Sequence, residues 1–501
     1  MLFTVLPPRE EPPRNAPGAY LVSDNWNDFG FRTQFWLWCS NGTVQVRIGS
    51  VRIASDGLEQ GAVSIPGTFD RLGVGYFSLG TDENYYVKLR DEVSEQTRVE
   101  VLAALRDSAY DLRIFVDALR QPAMETSLLR ELLPETVQQQ LHRIAHGGPT
   151  QSAFNVRYEQ EPDDDGPPVV FDFAVDPNAK PPNNIHALIG SNGVGKTRLL
   201  ERLASTVLAP GRLLPPKSRL EDRRNHRQHP FTNLVTVSFS AFDPQQPLRP
   251  SADVSYTYIG LKHPTGGGTK RYSDLAADFE AAVQECLTGT AARRKRWAAA
   301  LATLEATDAL FSDVRIRDLA GDEYLRSSEL PNPAAVDLFL SLSSGHKIVL
   351  LTLACLVQNT VERTLVLVDE PEAHLHPPLL SALLRALSDL MLDRNGLAVI
   401  ATHSPVVLQE TPRSAVWALR RVGDDVRVDH PEIETFGENV GVITREIFGL
   451  EVRRSGFHQL IQDLAGEGLS YEEIVLAFRG NLGAEGHALA RAAARHFRQQ
   501  R

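Results

Sequence analysis

The alternation of apolar and polar residues divides the chain into stretches with different periods. Runs of period two at 31–40 (FRTQFWLWCS), 43–54 (TVQVRIGSVRIA) and 74–80 (VGYFSLG) predict strands, and Asn41-Gly42 between the first two predicts a hairpin. From about Asp91 the spacing becomes helical, with Val99, Leu102, Leu105, Leu112, Ile114 and Leu119 on the pattern, continuing to about His146. Gly147-Gly148-Pro149 then marks a boundary, so residues 1–150 read as an N-terminal α+β domain. Trp26, Trp36 and Trp38 are expected in its core. His142 and His146 lie one helical turn apart without the intervening Glu of a zinc-protease motif, and read as solvated histidines.

Beyond the boundary, strands alternate with helices. The runs 169–175 (VVFDFAV), 185–190 (IHALIG), 233–242 (NLVTVSFSAF) and 256–261 (YTYIGL) read as strands, as do the continuous apolar stretches 364–368 and 397–401. Residues 273–307 read as helical, and 218–230 as a polar, basic surface loop. After about Trp417 a hairpin is expected around Gly423-Asp424, followed by short helices. The expected layout is an α/β domain over 151–420, with a short mixed insertion at about 245–340, and a mainly helical region over 421–501.

Composition narrows the partners. With 52 Lys and Arg against 63 Asp and Glu, the net charge is −11, so any nucleic-acid contact must use a local basic patch rather than a global field. Arg293-Arg294-Lys295-Arg296 and the basic residues of 218–230 are the candidates for DNA phosphates, although a solvated helix face is the preferred reading of the first. Three scattered cysteines, Cys39, Cys286 and Cys355, suit neither a disulfide framework nor a zinc site, and fit a reducing cytoplasm. The longest apolar run, 348–357, is far short of the ~20 residues that span a bilayer, so no membrane association is expected.

The strongest chemical signal is Gly190-Ser191-Asn192-Gly193-Val194-Gly195-Lys196-Thr197, which satisfies GxxxxGK[ST] at every specified position. A strand precedes it, and helical spacing at Leu199, Leu200 and Leu203 follows. That order lets glycine-freed backbone N–H groups and a helix N-terminus converge on phosphate. Lys196 is placed to reach the β- and γ-phosphates, and Thr197 to ligate Mg²⁺. The apolar run 364–368 ends in Asp369-Glu370, adjacent carboxylates with no structural reason to end a buried strand. Beside the phosphate loop, Asp369 would hold Mg²⁺ and Glu370 would polarise the attacking water. The run 397–401 ends in Thr402-His403-Ser404-Pro405, and His403 reads as a γ-phosphate contact.

With Leu342-Ser343-Ser344-Gly345-His346 lying between these elements, the sequence resembles the ABC-type ATPases. The phrase Glu370-Pro371-Glu372-Ala373-His374-Leu375-His376-Pro377 is typical of the branch holding the OLD, RecF and SMC proteins. Ser344 and His346 depart from the LSGGQ signature of that family. The resemblance covers roughly residues 165–420 and implies an ABC-type P-loop ATPase fold acting on ATP with Mg²⁺. It implies head-to-tail dimer units in which Ser343 and Gly345 contact the γ-phosphate held by the partner chain. Glu370 is then the catalytic base, His403 the switch histidine, and Gln245 of Asp243-Pro244-Gln245-Gln246 the glutamine contact. No coiled-coil insertion and no Asp-x-Asp pair of a TOPRIM nuclease follow, and His458, Asn481 and His487 lack the context of an HNH site. The layout resembles ATPase subunits of antiphage systems such as Septu, in which a separate HNH protein from an adjacent gene cuts. The alternatives are a RecF-like DNA-repair ATPase and an OLD-like nuclease with a disguised metal site. The C-terminal faces formed by Val440, Ile443, Ile447 and Leu450, and by Ile474, Leu476 and Phe478, are candidates for docking or for a local core.

Overall fold

Strands that are apolar on both faces need cover on both sides. A computed structural model describes residues 1–499 apart from 131, 162–167, 210–217, 225–229, 241–246, 249–250, 252–253, 264–267, 322–332, 423–424 and 453–455. Its centre is a seven-stranded sheet in the order Ser255–Gly260, Asn233–Ser238, Thr364–Asp369, Leu397–Thr402, Ile185–Ile189, Val416–Val422, Asp425–Asp429. All neighbours are parallel except the last pair.

Side chains alternate across this sheet with the period of two that a strand imposes. Val366, Val368, Ala398 and Ile400 point to a helical layer, where they meet Leu350 and Leu353 of helix Ser344–Asn359 and Leu380 and Leu384 of helix Pro377–Asp393. Leu365, Leu367, Leu397 and Val399 point the other way, to Leu199, Leu200 and Leu203 of helix Lys196–Leu208. A three-stranded antiparallel sheet (Val169–Val175, Phe154–Gln160, Ser218–Asp222) covers that second face with Phe154, Phe171 and Phe173.

Two stretches expected at the margins belong to this centre. Strand Ser255–Gly260 extends the sheet, and helices Tyr272–Thr288 and Ala291–Thr307 bury Phe279 and Trp297 in the main core, so much of the 245–340 stretch is integral to the sheet and its helical layer. The boundary placed at 420 falls inside strand Val416–Val422, whose antiparallel partner Asp425–Asp429 closes the edge of the sheet. Among the C-terminal apolar positions, Ile443 joins the main core and Ile447 packs against it, while Ile474 is buried in a small helical cluster with Ile461 and Ala490. Leu476 stays exposed.

The N-terminal region has its own six-stranded sheet, in the order Thr68–Phe69, Phe3–Leu6, Pro17–Ser23, Gln34–Asn41, Gln45–Ser55, Tyr76–Gly80. At the hairpin turn Asn41 Oδ1 accepts from the Thr43 and Val44 N–H groups at 2.9 and 2.8 Å. The tryptophans are not in the core. Phe35, Leu37 and Cys39 take the inward side of their strand, which leaves Trp36 and Trp38 half-buried on the outward side under the Arg47 guanidinium, 4.0 Å from the Trp36 ring centre. Trp26 is 50% exposed.

The two regions are joined through ions. Glu83, on N-terminal helix Glu83–Asp91, accepts from Arg296 at 3.1 Å, from Gln140 at 2.8 Å and from the buried Arg394. Glu362, buried, accepts from Arg143 at 3.0 Å and from Asn395 at 3.0 Å. Within the basic run 293–296, Arg294 and Lys295 are exposed as a solvated face requires, whereas the Arg296 side chain is 13% exposed and also bonded to Asp393. Glu362 and Arg394-Asn395 stand just before strands Thr364–Asp369 and Leu397–Thr402. The N-terminal region is thus held at the end of the sheet where those strands begin.

Candidate functional site

At the other end the strands finish level. The register pairs Ser238 with Asp369, Asp369 with Ala401, and Ile189 with Thr402. Three sequence segments consequently deliver their polar ends to one edge: the loop after Ile189, the Asp369-Glu370 pair, and the turn at His403.

The phosphate loop is shaped by its glycines. A Cβ on Gly190 would stand 2.4 Å from the Leu419 carbonyl oxygen, so only glycine lets the strand pass its neighbour there. Gly193 and Gly195 sit at φ +75° and +103°, which side chains disfavour. Between them Val194 is buried and its N–H bonds the Ser191 carbonyl at 3.3 Å, while Asn192 faces solvent. Gly195 begins helix Lys196–Leu208 without a side-chain cap, leaving first-turn N–H groups for an anion.

The reactive side chains form a chain of contacts. Lys196 Nζ donates to the Gly190 and Ser191 carbonyls at 2.9 and 3.3 Å and lies 2.7 Å from His403 Nε2. That nitrogen is also 3.3 Å from Glu370 Oε1. One ring nitrogen cannot serve both: as a lone pair it accepts from the ammonium, and as N–H it donates to the carboxylate. Burial, with the Lys196 charge, holds the His403 imidazole below its usual range against the pull of Glu370 and Glu372, favouring the neutral ring. Thr197 Oγ1 donates to Asp369 Oδ1 at 3.2 Å, an oxygen pair of the hard type that Mg²⁺ prefers. Ser238, in register with Asp369, has a buried Oγ with no hydrogen-bond partner among the described residues, a polar atom left for a ligand at this edge. Glu370 adopts a left-handed backbone, φ +46°, that turns the chain from the strand into Pro371–His374.

Glu372 was not anticipated. Its Oε1 accepts from Thr402 Oγ1 at 2.8 Å and from the His403 N–H at 2.5 Å, tying the histidine turn to the carboxylate turn. The only sequence signal was its place two residues after Glu370.

The structure does not bring every expected residue to this edge. Ser343 stands at the N-cap of helix Ser344–Asn359, where its Oγ is 2.6 Å from His346 Nδ1. Gly345 is packed so that a Cβ would stand 2.8 Å from the His374 carbonyl oxygen. Gln245 lies outside the described residues. His458, Asn481 and His487 are not gathered: His487 bonds Tyr471 at 3.1 Å, and the metal-type cluster found among the described residues includes none of the three.

Fold and site together define an α/β domain of the P-loop type. Residues 261–409, which hold Ser343, Asp369, Glu370 and His403, match a family model described as "AAA domain, putative AbiEii toxin, Type IV TA system". Over 498 residues the chain is 37% identical to protein ea59 of Escherichia phage lambda, covering 95% of this chain and 94% of that protein. The chain belongs to the family of that phage lambda protein. Among solved structures it is similar to the SMC head domain from Thermotoga maritima (12% identity, 56% of this chain and 99% of that one, TM-score 0.30). It is also similar to cbiO1 from Clostridium perfringens, part of an ABC transporter complex (16% identity, 52% and 83%, TM-score 0.27). No helix among the described residues is long and apolar enough to cross a membrane.

Proposed function

We propose that the protein binds ATP with Mg²⁺ at this edge and hydrolyses it to ADP and phosphate. The observation that carries the reading is the meeting of three distant segments: Thr197 with Asp369 at 3.2 Å, and Lys196, His403 and Glu370 within 3.3 Å of one another in sequence of contact. Lys196 would hold the β- and γ-phosphates, giving up the Gly190 and Ser191 carbonyls to do so. Thr197 and Asp369 would hold Mg²⁺, which neutralises charge on the phosphate oxygens. Glu370 would orient the attacking water and accept its proton. As Lys196 turns to phosphate, His403 Nε2 is freed to carry a proton and point it at Glu370 or at the γ-phosphate.

Ser343 and Gly345 would act in a head-to-tail dimer, each meeting the nucleotide of the partner. The resemblance of Leu342-Ser343-Ser344-Gly345-His346 to the ABC signature supports that reading. The ATPase cycle would then regulate a separate nuclease of HNH type. A relative carried by a phage supports a role in conflict between phage and host, and the resemblance to antiphage ATPase subunits favours the defensive side.

Phosphate release by Glu370→Gln tests the first step. The amide keeps the shape but not the base, so turnover should fall by roughly 10²- to 10⁴-fold while ATP still binds. Unimpaired turnover would remove Glu370 from the reaction.

A further inference from the structure

His346 departs from the glutamine of the ABC signature, and its surroundings give the departure a purpose. Its Nε2 lies 3.1 Å from Asp308 Oδ1, and His376 Nε2 lies 3.7 Å from Asp308 Oδ2. The three donor atoms fall within 4.8 Å of one another. Donors bound to one Zn²⁺ at about 2.0–2.2 Å stand roughly 3.4 Å apart across a tetrahedron, so a small inward adjustment encloses an ion. We propose that Asp308, His346 and His376 form a site for a divalent transition-metal ion of the zinc type.

Three features of the fold prepare the site. Asp308 caps helix Ala309–Asp313, accepting from the Leu310 N–H at 2.9 Å, which fixes its carboxylate. Gly345 lets the signature helix approach the His374 carbonyl, and that close packing brings the turn carrying His376 against His346. Phe311 meets the His346 ring edge to face at 4.9 Å, an apolar wall of the kind that tunes a metal site. Asp308 and His346 side chains are each 10% exposed and His376 is 52% exposed, giving two inner ligands and one at the mouth. Imidazole with carboxylate suits zinc and neighbouring metals better than Mg²⁺, and the fourth position is open to water.

The outer contact carries the consequence. His346 Nδ1 is 2.6 Å from Ser343 Oγ, the relation by which a metal-bound histidine orients through its second nitrogen. With a metal on Nε2, the Nδ1–H donates to Ser343 and sets which way the hydroxyl presents its own hydrogen. Metal occupancy would therefore tune the hydroxyl assigned to the partner's γ-phosphate. This last step rests on the proposed ATPase reading; the metal site itself does not.

The test uses the full chain stripped of metal and titrated with Zn²⁺ by calorimetry, and with Co²⁺ by visible absorption. One Zn²⁺ per chain is expected, with d–d bands from Co²⁺ in a low-symmetry nitrogen and oxygen site. Asp308→Asn keeps a good helix cap, and His376→Ala changes a half-exposed side chain, so both should fold. Each should weaken Zn²⁺ by more than the roughly 10- to 100-fold that an outer-shell partner is worth. His146→Ala and Lys196→Ala should bind Zn²⁺ as the parent does, the second showing independence from the nucleotide site. Equal affinity in the parent, Asp308→Asn and His376→Ala, or no stoichiometric site at all, would overturn the proposal. ATP turnover of the parent should shift severalfold on adding one equivalent of Zn²⁺, and that of His376→Ala should not. Equal responses would overturn the link to Ser343.

Discussion

The two ends of the central sheet are built for opposite purposes from the same strands. Where Thr364–Asp369 and Leu397–Thr402 end, the charged groups are accessible: Glu370 and His403 side chains are 43% and 28% exposed. Their contacts can also be exchanged: Lys196 bonds two backbone carbonyls and an imidazole, neutral groups that a phosphate can replace. Where the same strands begin, Arg394 and Glu83 side chains are 6% and 10% exposed, and Glu362 is 1% exposed. These ions are paired across to the N-terminal region and have little water to return to. A polar group that must meet a ligand stays near solvent, whereas a charge that is desolvated needs a permanent partner. The N-terminal region is thus fixed to the end of the strands opposite the phosphate loop.

Breaking the buried end gives the largest expected effect on stability. Glu83→Ala leaves Arg394 and Arg296 without their shared carboxylate, although Asp393 still faces both. Burial beside Arg394 already pulls the Arg296 guanidinium down to about 10, still charged at neutral pH. An uncompensated buried charge costs about 3–5 kcal/mol, of which Asp393, itself 43% exposed, offsets only part. Urea unfolding should show that loss, while nucleotide affinity of the folded protein changes less than about twofold, since no nucleotide contact is removed. An equal loss of affinity would mean that the two ends are tightly coupled.

A smaller effect should appear with pH. His186, second in the phosphate-loop strand, is buried with its Nε2 3.2 Å from the Ala174 carbonyl and its Nδ1 accepting from Trp417 at 3.1 Å. Burial lowers its pKa to about 4 from 6.5. The unfolded chain binds this proton first, so the contribution is full above pH 6.5 and is lost as pH falls toward 4. The loss reaches about 3 kcal/mol in that window. His186→Gln should flatten the curve of stability against pH there, and parallel curves for the two proteins would reject the assignment.

What could be read from the sequence follows the same division. That 190–197, the Asp369-Glu370 pair and His403 meet at one edge was legible because the phosphate-loop pattern and the strand-end polar residues fix type and spacing within short strings. The strands behind them were legible because burial on both faces leaves continuous apolar runs. The ionic joint was not, since Glu83, Arg296 and Arg394 are single charges that only the folded chain brings together. The same holds for Asp308 beside His346 and His376. Trp36 and Trp38 misled because aromatic residues suggest a core, while their strand's period puts Phe35, Leu37 and Cys39 inward instead. The edge hairpin Val416–Val422 and Asp425–Asp429 reads in sequence as the start of a new region because a sheet edge carries the polar alternation of an exposed strand.

The central claim is that the accessible end of the sheet is a nucleotide site organised around Lys196. Its most direct test is Mg-ATP binding to Lys196→Ala by calorimetry, with circular dichroism and urea unfolding to establish that the chain is folded. The ammonium supplies one or two charge-assisted hydrogen bonds, so affinity should drop by roughly 10- to 100-fold, and unfolding should show the N-terminal joint intact. A folded Lys196→Ala chain that binds Mg-ATP as tightly as the parent would contradict the account.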